Sequence, residues 1–321
     1  MRRDRLQNHI SGSVFTLPVC AVVAVLLWWF PLAQDADSVS SSFERSHLIA
    51  LGIVALTTYA LVEMNNVNML IRVRSRMVSS VWLVCVSTIP VLHTYSPSLV
   101  AVLCLSVAYY QLFSTYQRRG CEVSTFHYAL MIGLGSIFVP HMVCFLPIFL
   151  WHQTFFLRST TLRTFFAALI GCSLPLAAWG AYWVVVDDYA AIQQWLAVLT
   201  TYTYLDVNSY LSLSISQIAS WGFVSFLGLV GMWHYLATSY NDKIQTRMLL
   251  YAFVCQFVLI EAFVGAQPQH LDEWMPMLLV TSSPLIAHFF ALTSSWFTNA
   301  LFVLSFLGFC ALGYLNLFWF V

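Results

Sequence analysis

The charged residues of this chain are so widely spaced that the gaps between them dictate its class. Leu6 to Gln34 is 29 residues without a charge, Met77 to Gln117 is 41, Val123 to Leu157 is 35 and Trp274 to Val321 is 48. A helix needs about 20 mostly apolar residues to cross a hydrocarbon layer of roughly 30 Å, so each gap has room for one or two crossings. Charged residues make up 8% of the 321, against about 25% in a soluble domain. Thirteen Lys and Arg balance thirteen Asp and Glu, which leaves no basic excess for a nucleic acid to bind. The partner selected by this composition is membrane lipid.

Taken gap by gap, the chain predicts an all-α, polytopic membrane protein of about eleven segments, within a range of 10 to 12, forming one integral membrane domain over residues 1–321. The first span runs from about Val14 to Ala33, and its long apolar run without a clear small-x-small site argues against a cleavable signal peptide. A second starts near Leu48 and stays uncharged to Glu63. Met77 to Gln117 holds two, turning at His93-Thr94-Tyr95-Ser96-Pro97, where Pro97 disfavours helix at the residue before it. Thr164 to Val186, Val207 to Asn241 and Met248 to about Gly265 supply one each, and Trp274 to Val321 supplies two.

Val123 to Leu157 fits either one long crossing or a tight hairpin broken at Val139-Pro140-His141. Positive charge decides between them, because short cytoplasmic loops carry the Lys and Arg of a multi-pass protein. With a hairpin and the N-terminus inside, twelve of the thirteen basic residues are cytoplasmic and only Arg45 lies outside; with a single crossing the number drops to eight. The hairpin is therefore expected, its arms distorted by Gly133, Gly135, Pro140 and Pro147. The eight cysteines contain no CxxC and fall mostly inside expected spans, so they read as small buried residues and not as a disulfide framework or zinc ribbon.

This topology sorts the polar residues by side. Asp35, Asp37, Glu44, Asp187, Asp188, Asp206, Asp272 and Glu273 collect outside, joined there by His47, His93, His141 and His270 near the outer ends of spans. Carboxylates and imidazoles together are the material of acid–base catalysis or of a divalent metal site. The candidate catalytic residues are Asp35 and Asp37 as base or metal ligands, Arg45 as a phosphate clamp, and His141 and His270 in proton transfer. Glu261 joins them as an ionisable residue inside a span, with Gln256 or Gln267 as its expected partner. The stretch from Tyr189 to Leu199 alternates at near-helical spacing and is expected to lie in the interface, with Trp195, Tyr202, Tyr204 and Tyr210 at headgroup level. A haem is disfavoured: His127 and His141 have a bis-histidine spacing, but no second helix repeats it.

The text FHYALMIGLGSIFVPHMVCFLPIFLWHQTFFLRSTTLRTFFAALIGCSLPLAAWGAYW, Phe126 to Trp183, together with HLDEWMPMLLVTSSPLIAHFFALTSSWFTNALFVL, His270 to Leu304, resembles a family of Bacteroidota inner-membrane proteins classed as a domain of unknown function. That resemblance implies a multi-pass inner-membrane protein and carries over no catalytic residue. The architecture also looks like that of the C-type glycosyltransferases and O-antigen polymerases, which handle polyprenyl-linked sugars. In the former an acid of the first outer loop is a base or metal ligand, the place held here by Asp35 or Asp37. This first outer loop is short, and Arg45 is its only basic residue. The expectation is a cell inner-membrane protein acting on a lipid-linked sugar or phospholipid at its outer face. The alternatives are a non-enzymatic subunit that docks other membrane proteins and, third, a proton-coupled transporter built around Glu261.

Overall fold

A computed structural model describes residues 6–34, 41–73, 75–201 and 207–318, and among these the only regular structure is helix. Fourteen α-helices follow one another: α1 (Leu6–Gly12), α2 (Thr16–Gln34), α3 (Ser41–Asn68), α4 (Met77–Ser87), α5 (Pro97–Phe113), α6 (Glu122–Phe138), α7 (Phe145–Phe155), α8 (Leu162–Val185), α9 (Tyr189–Thr200), α10 (Val207–Leu211), α11 (Ile215–Thr238), α12 (Ile244–Ala266), α13 (Leu271–Leu292) and α14 (Trp296–Phe318). Six of them, α3, α8, α11, α12, α13 and α14, are long and apolar enough to cross a membrane, and α1 with α2 makes a seventh if the two are counted as one span bent by 88°. Large apolar side chains such as Phe166, Ile170, Leu229, Trp233, Phe306 and Leu307 point outward from them. A protein surface in water cannot carry so much contiguous apolar area; lipid tails can cover it.

The remaining apolar helices are shorter. At a rise of about 1.5 Å per residue, the 11 residues of α4 or α7 fall well short of the roughly 30 Å required. Both are halves of broken elements. Pro90–His93 is a 3-10 turn linking α4 to α5, and Pro140–Cys144 is another linking α6 to α7. Proline explains each break, since it offers no backbone N–H and fixes its own φ. The second break makes a true hairpin. Gln117 N–H donates to Leu157 O at 2.9 Å, and Tyr128 OH donates to Gln153 Oε1 at 2.6 Å, so the far end of α7 returns to the start of α6. Arg118, Arg119, Arg158 and Arg163 thereby share one end of the molecule.

At the centre stands α13, buried along nearly its whole length despite Pro276 and Pro284 within it. It packs against α4, α5, α11 and α12, while α6 and α8 form a tight pair at the flank. Glycine makes that pair possible. A Cβ on Gly133 would sit 2.3 Å from the Cys172 carbonyl oxygen, and one on Gly171 would sit 2.5 Å from that of Phe126. Small residues at a helix crossing let backbones approach where van der Waals contact, not hydrophobicity, must hold membrane helices together. Helix entries are set by local chemistry: Thr161 with Thr164, and Ser214 with Gln217, form capping boxes at the starts of α8 and α11.

Long-range contacts sort the two ends of the bundle. Gln7 reaches Phe290 O and Thr293, Ser75 reaches Ser11 O, and Arg72 reaches Asn241 O, so the N-terminal helix, the α3–α4 and α11–α12 connections and the end of α13 lie together. Phe156 lies against Tyr251 near the start of α12, which adds the α5–α6 and α7–α8 connections to the same end. Arg72, Arg76, Arg118, Arg119, Arg158, Arg163, Lys243 and Arg247 all belong to this basic end. At the opposite end Trp28 stacks on His93, Ser46 accepts from Tyr95 N–H, Asn316 donates to Thr88 O, and Trp195 donates to Ser136 O. Of the described basic residues, only Arg45 falls there.

Candidate functional site

Among the described residues, the end remote from the basic loops contains a concentrated group of metal-ligating and proton-transferring side chains. His141 comes from the 3-10 break after α6, and His270 and Glu273 come from the turn that starts α13. The imidazoles are 4.8 Å apart between ring centroids, nearly edge to face, and His270 Nδ1 lies 3.4 Å from Glu273 Oε2. One ligand atom from each of the three lies within 4.8 Å of the others. Phe263 and Trp274 line the group with their rings, and Phe145 packs behind Trp274.

The local sequence explains why the three meet. Pro140 ends α6 and throws the next residue inward, leaving His141 only 3% exposed. Pro268 forces a second 3-10 turn directly before α13, which turns His270 toward it. The two acids opening α13 then diverge, as neighbours on a helix must: Gln217 Nε2 takes Asp272 at 2.9 and 2.8 Å, and Glu273 turns to His270. Burial pushes the His141 pKa down, and the adjacent His270 pushes it the same way, against the opposing pull of Glu273 and the backbone of Val198. His141 Nδ1 and Glu273 Oε2 are buried atoms without a hydrogen-bond partner.

Val198 belongs to α9, the helix expected to lie in the interface. Asp188 caps it by accepting Ala190 N–H at 3.1 Å, none of its residues is buried, and Trp195 Nε1 donates to Ser136 O at 2.8 Å. It therefore lies across the break that carries His141.

The other sequence candidates are dispersed. Asp35, Asp37 and Asp206 lie outside the described residues. Arg45 is exposed at the beginning of α3, beside Ser46 and on the side of α2 and His93. Glu261 sits between α11 and α12, where Trp221 Nε1 donates to Oε2 at 3.0 Å while Oε1 is buried without a hydrogen-bond partner. Trp221 thus takes the role expected of Gln256 or Gln267; both polar atoms of Gln256 are buried without a hydrogen bond. His127 and His141 do not share a helix, because α6 ends at Phe138, and His127 is exposed.

A second cluster occupies the basic end. His288 Nε2 lies 2.9 Å from Asp242 Oδ2, Arg72 Nε lies 3.8 Å from Asp242 Oδ1, and the His234 ring is 5.6 Å from that of His288. The Asp242 and His288 side chains are each 1% exposed. Nothing in the spacing of the sequence pointed to Asp242, which stands beside Lys243 in a connection that reads as an ordinary basic loop. An acid next to a loop lysine, with a histidine near the end of a long apolar run, is the signal available for such a pair.

The chain matches no protein-family model, no curated protein and no solved structure.

Proposed function

We propose that this protein is a multi-pass enzyme of the cell inner membrane with eleven membrane segments, its N-terminus and basic end in the cytoplasm. Its site opens to the outer face and acts on a lipid-linked sugar or phospholipid. The observation that carries the reading is the meeting of His141, His270 and Glu273 at the end away from the Lys and Arg residues, beneath a helix suited to lie in the headgroup layer. The positive-inside rule turns that end outward. Two imidazoles of unequal burial beside a carboxylate supply a proton donor and acceptor in one place, and an interfacial helix over them brings an amphiphile's headgroup to the same depth. In this reading His141 and His270 transfer protons, Arg45 binds a phosphate, and Asp35 and Asp37 serve as base or metal ligands.

The test is the inventory of polyprenyl-linked glycans and phospholipids in cells with and without the gene, by mass spectrometry of extracted lipids. Accumulation of one intermediate in the deletion is the expected result and names the substrate. An unchanged inventory removes the enzymatic reading in favour of the subunit that docks other membrane proteins.

A further inference from the structure

We infer that His141, His270 and Glu273 form a binding site for one divalent ion of the zinc type. The inference rests on the reading of this end as the functional one and adds the cofactor class and the part of the substrate it would take.

The donor set selects the ion. Two imidazole nitrogens and one carboxylate oxygen suit zinc and its first-row neighbours, whereas magnesium and calcium take oxygen donors. Separation fits as well. With metal–nitrogen and metal–oxygen bonds of about 2.0–2.2 Å, two ligand atoms on one tetrahedral ion stand roughly 3.4 Å apart. Here the three ligand atoms lie within 4.8 Å of one another, with the His270–Glu273 pair at 3.4 Å. A rotation of the His141 or Glu273 side chain closes the remainder.

One feature distinguishes this group from a chance gathering of polar side chains. The His141 ring is 3% exposed, and its Nδ1 has no hydrogen-bond partner. A buried polar atom left unpaired carries a desolvation cost, which a metal bond removes. By contrast, Asp272, the nearest other acid in the chain, is held by Gln217 and contributes nothing.

Three protein ligands leave a coordination position open, the pattern of catalytic and not structural zinc. One carboxylate against a divalent ion leaves a net positive charge, in a group walled by Phe263 and Trp274. The ligand class that this selects is an anionic oxygen, such as the phosphate of the lipid-linked substrate.

The experiment is metal analysis of the purified full-length protein in detergent, stripped with chelator and reloaded with Zn2+ alone, then repeated with Co2+ for its visible absorption. The expected result is one Zn2+ per chain and a tetrahedral Co2+ spectrum. Both should be lost in His141→Gln and weakened at least tenfold in Glu273→Gln, with both variants eluting as the wild type does. Zn2+ uptake equal in wild type and His141→Gln overturns the site, as does a His127→Gln control that loses as much uptake as His141→Gln does. Stoichiometric Zn2+ together with an unchanged lipid inventory upholds the site and removes only the lipid-linked substrate.

Discussion

The two ends of the bundle use the same residue types to opposite effect. At the basic end Asp242 is almost fully enclosed, with His288 at 2.9 Å from one oxygen and the Arg72 cation at 3.8 Å from the other, although Asp242 Oδ1 and His288 Nδ1 make no hydrogen bond. At the other end His141 and His270 face one carboxylate that is partly exposed, and no Lys or Arg of the described residues joins them. A cluster closed by its own cation ties together the connections that pass through it. A cluster without one is left open to an added ion. The difference separates a structural role from a functional one without reference to any known protein, and it can be broken or sharpened by experiment.

The largest effect should come from the closed cluster. Asp242→Ala leaves Arg72 and His288 without their acid, and breaking a buried pair from one side costs about 3–5 kcal/mol. The variant should lose abundance and unfold early in detergent, as read by its thermal midpoint. His141→Gln should change neither. Equal losses from the two would erase the distinction between the ends.

Acid should act next, at the open end. His93, between α4 and α5, is stacked on Trp28 and bonded to Ser87 O at 3.2 Å, and burial drives its pKa from 6.5 down to about 4. The folded chain therefore holds fewer protons on this ring than the unfolded chain does. Its contribution is complete above about pH 6.5 and is lost as pH falls toward 4, amounting to about 3 kcal/mol in all. Thermal midpoints measured between pH 7.5 and 5 should fall for the wild type and fall less for His93→Gln.

A smaller effect tests the hairpin that carries His141. Gly133→Ala or Gly171→Ala sets a Cβ against a facing backbone carbonyl and should cost about 1–3 kcal/mol by overpacking. The loss should appear as faster proteolysis in the α6–α8 region, with the α11–α13 helices retained. Smallest of all, Trp221→Phe removes the indole donor to Glu261, a loss of about 1 kcal/mol of stability that is read as a small drop in the thermal midpoint. A large loss there would mark Glu261 as more than a tolerated buried acid.

The helices were legible where proline or charge interrupts apolar text. Pro97, the Val139-Pro140 break and the interfacial stretch from Tyr189 correspond to the start of α5, the end of α6 and α9. The partners were not legible. Most of these helices are apolar on every side, so periodicity gives no inward face, and α13 looked no more central than α14. His141 and His270 were singled out separately as polar residues near span ends, but their meeting depends on two proline turns from distant parts of the chain. Glu273 was counted only among the outer acids, and the Asp242–His288 pair went unseen because Lys243 disguised its loop. The length of α4 and α7 was also hidden: the charge gap around each was long enough to cross, but the 3-10 turns divide it.

The claim on which the rest depends is that the His141–His270–Glu273 end faces away from the cytoplasm. It is tested most directly by placing single cysteines at Ser212 and Arg119, exposed positions at opposite ends, in a chain whose eight native cysteines are changed to alanine, and treating cells with a membrane-impermeant maleimide. Ser212→Cys should label in intact cells, and Arg119→Cys only after the membrane is opened. The reverse pattern would put the site on the cytoplasmic side and contradict an action at the outer leaflet.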